Sequence, residues 1–340
     1  MIWLTWQQHR KQALFAIIGL ALLAAVFIPT GLRMHRAVTD TGLSICHTLD
    51  GRPEFIDPLG PIDVANPGAA EACTVSANRF VDQFGGYYNL FALFVFLPLL
   101  IGMFFGAPLI AREVEHGTHR LIWTQGITRR HWALVKIALV SLSALAVAAG
   151  YTALVRWWSA PLALADRNQG PFSVPMFDIR GVTPIGYTVF AVALGVAAGT
   201  VWRKTLAAMA ATLVGYIALR IAVGALRPRL LPAQQRQAPV GGTVVPGGST
   251  RGDWVLAQGV YDPARGDFVR DGYAVCPPGM VPEPGSPDSC DGLPAGAVNL
   301  EIFHPREQYW LLQTLEVGIF LALAAVLIVI AIHQVRRRIT

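Results

Sequence analysis

Apolar residues in this chain come in long unbroken runs, without the 3.6-residue or two-residue period of a half-buried helix or strand. Six runs stand out, at residues 12–31, 88–110, 133–158, 185–202, 206–226 and 311–332. Each is about 18 residues or longer, and a helix needs roughly 20 mostly apolar residues to cross a bilayer. The pattern therefore predicts six transmembrane helices in one all-α polytopic membrane domain over residues 1–340. The strands of a membrane β-barrel would alternate and be about half as long, so a barrel is excluded. Between the runs lie short basic connections and two long polar stretches, residues 32–87 and 227–310. Both long stretches read as irregular. "PVGGTVVPGGSTRGD" (239–253) and "CPPGMVPEPGSPDSC" (276–290) read as turns and coil, and the Arg251-Gly252-Asp253 triplet as a turn and no more.

Composition agrees: the chain is 54% hydrophobic and only 14% charged, where a soluble domain carries about a quarter charged residues. His9, Arg10 and Lys11 give the first run the basic start of a signal peptide. Its length, and the absence of a small-x-small site after Pro29 and Gly31, make it an uncleaved first helix that ends there. Trp3 and Trp6 mark residues 1–11 as a short interfacial helix. Trp157, Trp158, Trp202 and Trp310 stand at run ends, as interfacial aromatics do. Only Arg203-Lys204-Thr205 joins the fourth and fifth runs, which must form a tight hairpin, and Gly195 and Gly199 have the spacing that lets helices approach closely.

Charge sets the expected orientation. Arg10, Lys11, Arg112, Arg120, Arg129, Arg130, Lys136, Arg203, Lys204 and Arg336–Arg338 all fall in the short connections or beside the ends. By the positive-inside rule these are cytoplasmic, so both termini are inside a plasma membrane and the two long stretches are exterior. Cys46 and Cys73 lie in the first long stretch, Cys276 and Cys290 in the second, which suits an oxidising exterior. Four cysteines allow three connectivities. Pairing within each loop is the simplest, the shorter loop contributing about 3 kcal/mol on the chain-entropy account. Four free thiols are the other reading. The spacing does not suggest zinc, and no metal site is expected.

The connection at residues 113–132 is the only cytoplasmic one of any size, and Glu113 and Glu115 are its only acids. Gly117-Thr118 interrupts the helix leaving the membrane, Thr118 can cap about two turns of helix, Gly126 ends them, and Thr128 can cap the next helix. Leu121, Ile122 and Trp123 supply apolar contact area. A loop resting on anionic lipid would account for the arginines. It would not account for the glutamates, the glycine breaks or the two caps. His116 and His119 read as a solvated helix face.

The run Glu115-x-Gly117-Thr118, Leu121, Thr124-Gln125-Gly126-Ile127-Thr128-Arg129 and Lys136 resembles the E-x-G-T…L…T-P-V-S-R…K signature of type-two ABC transporter permeases. The wording around it, and "HPREQYWLLQTLE" leading into the last helix, looks most like actinobacterial members. Gly126 stands where the family's usual proline would be. The resemblance implies a cytoplasmic coupling helix that docks on an ATPase subunit, with Glu113, Glu115, Gly117, Thr118, Leu121, Trp123 and Arg129 as the docking surface. It also implies an exporter, a second permease copy or a related chain, and ATP and Mg held by the partner ATPase. This chain has no G-x-x-x-x-G-K-[ST] phosphate loop, so no cofactor is expected on it and it is not read as an enzyme. No nucleic-acid partner is expected; the lipid bilayer is.

Three charges fall near the outer ends of the runs: Arg156, Arg220 and Glu316. Charges at such depth are expensive and often functional. Mutual pairing and a gate or substrate role both fit them. Lys136, near the inner surface, reads as a snorkelling side chain. With no H-E-x-x-H or G-x-S-x-G motif, an intramembrane enzyme is disfavoured. A secondary transporter and a non-transporting signalling or immunity subunit of an ABC complex remain as alternatives, and the substrate is not legible.

Overall fold

The computed structural model describes residues 2–43, 67–117, 128–165, 171–240, 252–274, 292–294 and 296–338. Six helices among them are long and apolar enough to cross a membrane: Ile17–Asp40, Val75–Glu115, His131–Ala165, Thr183–Trp202, Thr205–Arg229 and Arg306–Arg336. Each overlaps one of the six predicted runs.

Helix α1 is continuous over Ile2–Asp40. The sequence suggested a stop at Pro29 and Gly31, and that reading needs correction; the candidate span itself covers Ile17–Asp40. Pro29 removes one backbone donor without ending the helix, and the hydroxyl of the next residue, Thr30, donates back to the Val26 carbonyl at 2.8 Å. Gly31 serves packing: a Cβ there would lie 2.5 Å from the Trp157 ring. The polar stretch that followed was read as irregular, yet it holds a second helix, α2, at Pro67–Phe84. A 3-10 turn at Gly85–Leu90 leads into α3, Phe91–Ile101, a π turn at Gly102–Gly106, and α4, Pro108–Glu115. Helix α5 spans Arg129–Ala165, α6 Thr183–Trp202, α7 Thr205–Leu226 and α8 Tyr309–Arg338.

The π turn sits where helices cross most closely. Cβ atoms at Gly102 and Gly106 would meet the Ala191 and Val192 carbonyls at 2.5 and 2.6 Å, and those at Gly195 and Gly199 would meet Gly102 O at 2.6 Å and Ala107 O at 2.7 Å. Two small-xxx-small faces thus interlock, and α6 becomes the most buried of the six spans. A second packing centre surrounds Trp158. Read from sequence as an interfacial aromatic, it is fully buried, stacked on Phe27 at 4.6 Å and donating to Thr30 Oγ1 at 2.9 Å. Trp202 and Trp310 are about half exposed, as interfacial residues should be.

The second long stretch corrects the all-α reading. It forms a four-stranded antiparallel sheet of β1 (Gln234–Pro239), β2 (Trp254–Asp262), β3 (Asp267–Asp271) and β4 (Val298–His304), in the order β1-β4-β2-β3. Arg236 ties the sheet together, pairing with Glu301 at 3.1 Å and Asp253 at 3.2 Å. Gly252 has a φ of 76°, and the Asp253 carboxylate accepts from Arg306 N at 3.0 Å; Arg251, the first residue of the triplet, lies outside the described residues. The sheet therefore lies over one end of the helices, the end where α6 begins and α7 finishes. The α6–α7 hairpin turn marks the other end.

Candidate functional site

At the sheet end, four charged side chains from three separate parts of the chain close into one network. Helix α7 contributes Arg220, and the residue after it is Arg227. Helix α8 contributes Glu316, and a single helical turn at Met176–Ile179 contributes Asp178. Arg220 bonds Asp178 at 2.7 Å and Glu316 at 3.1 Å. Arg227 bonds Asp178 at 2.7 Å through Nη2, and Glu316 at 2.7 Å through Nε. Tyr187 of α6 donates to Glu316 Oε1 at 2.6 Å and lies 3.2 Å from Asp178 Oδ1. Arg220 stacks over the Tyr187 ring at 3.8 Å and Arg227 over Phe177 at 4.1 Å. Glu316 is wholly buried, and Asp178 and Arg227 nearly so.

Taking such ions out of water costs several kcal/mol each unless charge and hydrogen bonds are both matched. Two guanidiniums facing two carboxylates meet that condition. The network exists only while α7, α8 and the α5–α6 connection are held together, so it reports their relative position.

The sheet roofs this network. Trp254 of β2 stacks on Phe172 at 5.7 Å. His304 of β4 is buried against the Pro228 carbonyl at 3.0 Å, next to Arg227. Between roof and network lies a cavity of about 290 Å³, lined by Phe172, Ser173, Val174, Asp178, Arg220, Gly224, Arg227 and Trp254.

Of the three intramembrane charges singled out from sequence, Arg220 and Glu316 pair directly. Arg156 does not join them: its side chain is exposed. It stands near Arg180, whose guanidinium burial pulls below its ordinary range, the Tyr309 phenol opposing the shift and Arg156 adding to it. Asp178 and Arg227 were missed. Both sit just outside an apolar run, where a charged residue looks like any solvated loop residue. The one available signal was their position, flanking the runs that carry Tyr187 and Arg220.

At the hairpin end, the residues at the base of the 113–132 connection have partners within the chain. Glu113 bonds Lys136 of α5, and Lys136 is buried rather than snorkelling. Its ammonium also lies 5.0 Å from the Trp132 ring. Glu115 Oε2 accepts from the Thr205 backbone N–H at 2.9 Å and from Thr205 Oγ1 at 2.7 Å. That satisfies an orphan donor in the first turn of α7. Gly117 ends α4's exit at φ of 69°, a conformation glycine adopts without strain. Thr118, Leu121 and Trp123 lie outside the described residues, as do the side chains of Arg129, Cys46, Cys73, Cys276 and Cys290.

Among the described residues no group of three or more His, Cys, Asp or Glu is placed to hold a metal. No curated protein and no solved structure matches the chain. One family does, under the description "ABC-2 membrane transporter related", over residues 17–227. That range takes in five of the six apolar helices, the 113–132 connection, and three of the four members of the charge network. The chain therefore belongs to the ABC-2 membrane transporter related family and is a multi-pass membrane permease of the ABC transporter kind.

Proposed function

We propose that this chain is the membrane-spanning permease subunit of an ABC exporter, driven by ATP hydrolysis on a separate nucleotide-binding chain that carries ATP and Mg. The family match over residues 17–227 carries the reading, because ABC-2 permeases generally work with an ABC ATPase subunit. Both termini face the cytoplasm of a plasma membrane, and the sheet faces outward. A second permease copy completes the pathway, and disulfides within each long stretch brace the exterior. The 113–132 connection is the coupling loop, with Gly117, Thr118, Leu121, Trp123 and Arg129 meeting the ATPase.

The contacts at the loop's base suggest how motion is passed on. Glu113 ties α4 to α5 and Glu115 ties α4 to α7. Displacement of the loop therefore moves α7, whose far end carries Arg220 and leads into Arg227. ATP acts only by binding one arrangement of this assembly better than the other. The charge network at the far end is the element with two arrangements, closed as described here or separated during export.

The test is co-purification from the native host in mild detergent. An ATPase should accompany the chain in about equal amount, and Arg129→Glu should reduce its recovery. Absence of any ATPase under conditions that preserve dimers would overturn the reading. Transport that continues under ATPase inhibition but stops with a proton uncoupler would establish a secondary transporter instead.

A further inference from the structure

We infer that the cavity between the sheet and the charge network binds an amphiphile with an acidic, acceptor-rich head, phosphate or carboxylate, its head on Arg220 and Arg227 and its apolar body over Phe172 and Trp254. The first argument is the donor balance of the network. Each guanidinium carries five N–H donors. Nε and both Nη2 hydrogens of Arg227 go to the two carboxylates, as do one hydrogen each from Nη1 and Nη2 of Arg220. All four carboxylate oxygens are engaged, whereas Nη1 of Arg227 has no acceptor among the described residues. The unspent valence is thus of one kind, charged N–H, and it suits the oxygens of an anion. A cation would find no free carboxylate oxygen.

The second argument is the lining. Ser173 Oγ is buried there without a hydrogen-bond partner. Phe172 and Trp254 supply a stacked aromatic wall. Ile221 and Leu226 of α7 are exposed at the same level of the helix, at 68% and 52%, as lipid-facing residues are. The cavity therefore lies where an apolar surface meets a polar cap, the setting of a headgroup.

The third is Gly224, which lines the cavity and has nothing within 4 Å of where a Cβ would stand. A helix interior ordinarily disfavours glycine relative to alanine by about 1 kcal/mol, and no close helix crossing accounts for it at this position. The open space beside it is the cavity itself.

The role of the site rests on the permease reading and would give it a substrate class, but its existence is tested without transport. Native mass spectrometry of the purified full chain in non-ionic detergent would count bound dihexanoyl phosphatidic acid against dihexanoylglycerol, which differs only in lacking the phosphate, and against inorganic phosphate alone. The expected result is retention of the phosphatidic acid only. Affinity should fall about tenfold in Gly224→Phe, which fills the cavity and leaves the charges in place. It should be unchanged in Val214→Phe, an equally bulky change at an exposed position of α7. Equal retention of dihexanoylglycerol, or a Gly224→Phe chain that binds normally, would overturn the inference. Equal binding of inorganic phosphate would overturn the apolar half of it. Failure here would leave the association with an ATPase untouched, and failure of that association would leave the binding result standing.

Discussion

Glu115 caps the helix that begins at Thr205, one carboxylate oxygen accepting from both its backbone N–H and its hydroxyl at 2.9 and 2.7 Å. The two residues are 90 positions apart. Their contact makes the loop between the second and third spans continuous with the fifth span, whose far end feeds the buried charge network.

Replacing Glu115 with Ala should free the first amides of α7 while leaving the rest of the helix intact. Hydrogen exchange would show faster exchange confined to the start of α7, and transport should fall more than stability does. Unchanged protection at Thr205 would dismiss the cap.

Lys136 and Glu113 form a buried pair, and removing one partner of such a pair costs about 3–5 kcal/mol because the other is left charged and unpaired. Lys136→Met and Glu113→Leu alone should each lower the unfolding temperature in detergent sharply. The double variant should recover most of the loss. A double-mutant cycle with no coupling would mean that the pair contributes nothing beyond its separate members.

The charge network predicts a separation of phenotypes. Arg227→Gln leaves Glu316 and Asp178 short of a cation, so thermal stability should drop by about 3–5 kcal/mol and transport should be lost. ATPase recovery should persist, since the network lies at the opposite end of α7 from the loop. Loss of the co-purifying ATPase of the proposed function together with transport would instead mean global unfolding.

Glycines divide by what surrounds them. Gly195→Val would drive a side chain into the Gly102 carbonyl, 2.6 Å from its Cβ, whereas nothing lies within 4 Å of a Cβ at Gly19 or Gly318. The first substitution should destabilise by about 1–3 kcal/mol or more through overpacking, and Gly19→Val and Gly318→Val should be nearly neutral by the same thermal assay.

Several parts of the fold were legible because they depend on neighbours in sequence. The six spans follow from contiguous apolar runs, and Gly195 with Gly199 announced a close crossing by spacing alone. Arg220 and Glu316 stood out because a charge inside an apolar run is conspicuous. Asp178 and Arg227 were hidden by lying a few residues outside one. The sheet was hidden for a related reason. In β4, "VNLEIFH", apolar and polar residues begin to alternate as in a strand, but the surrounding glycines and prolines read as coil.

Sequence alone determined that this chain lives in a membrane, because insertion depends on the summed transfer free energy of a continuous segment, a property of the chain read in order. It also marked the 113–132 connection as the unusual feature of one end. Only the tertiary structure decided what the charges are for. Arg227 and Glu316 are 89 residues apart, and a buried ion is tolerated only beside a counter-ion within hydrogen-bond reach. Which ends of which helices meet is settled by packing, so the network and its cavity became visible only when the helices and the sheet were assembled.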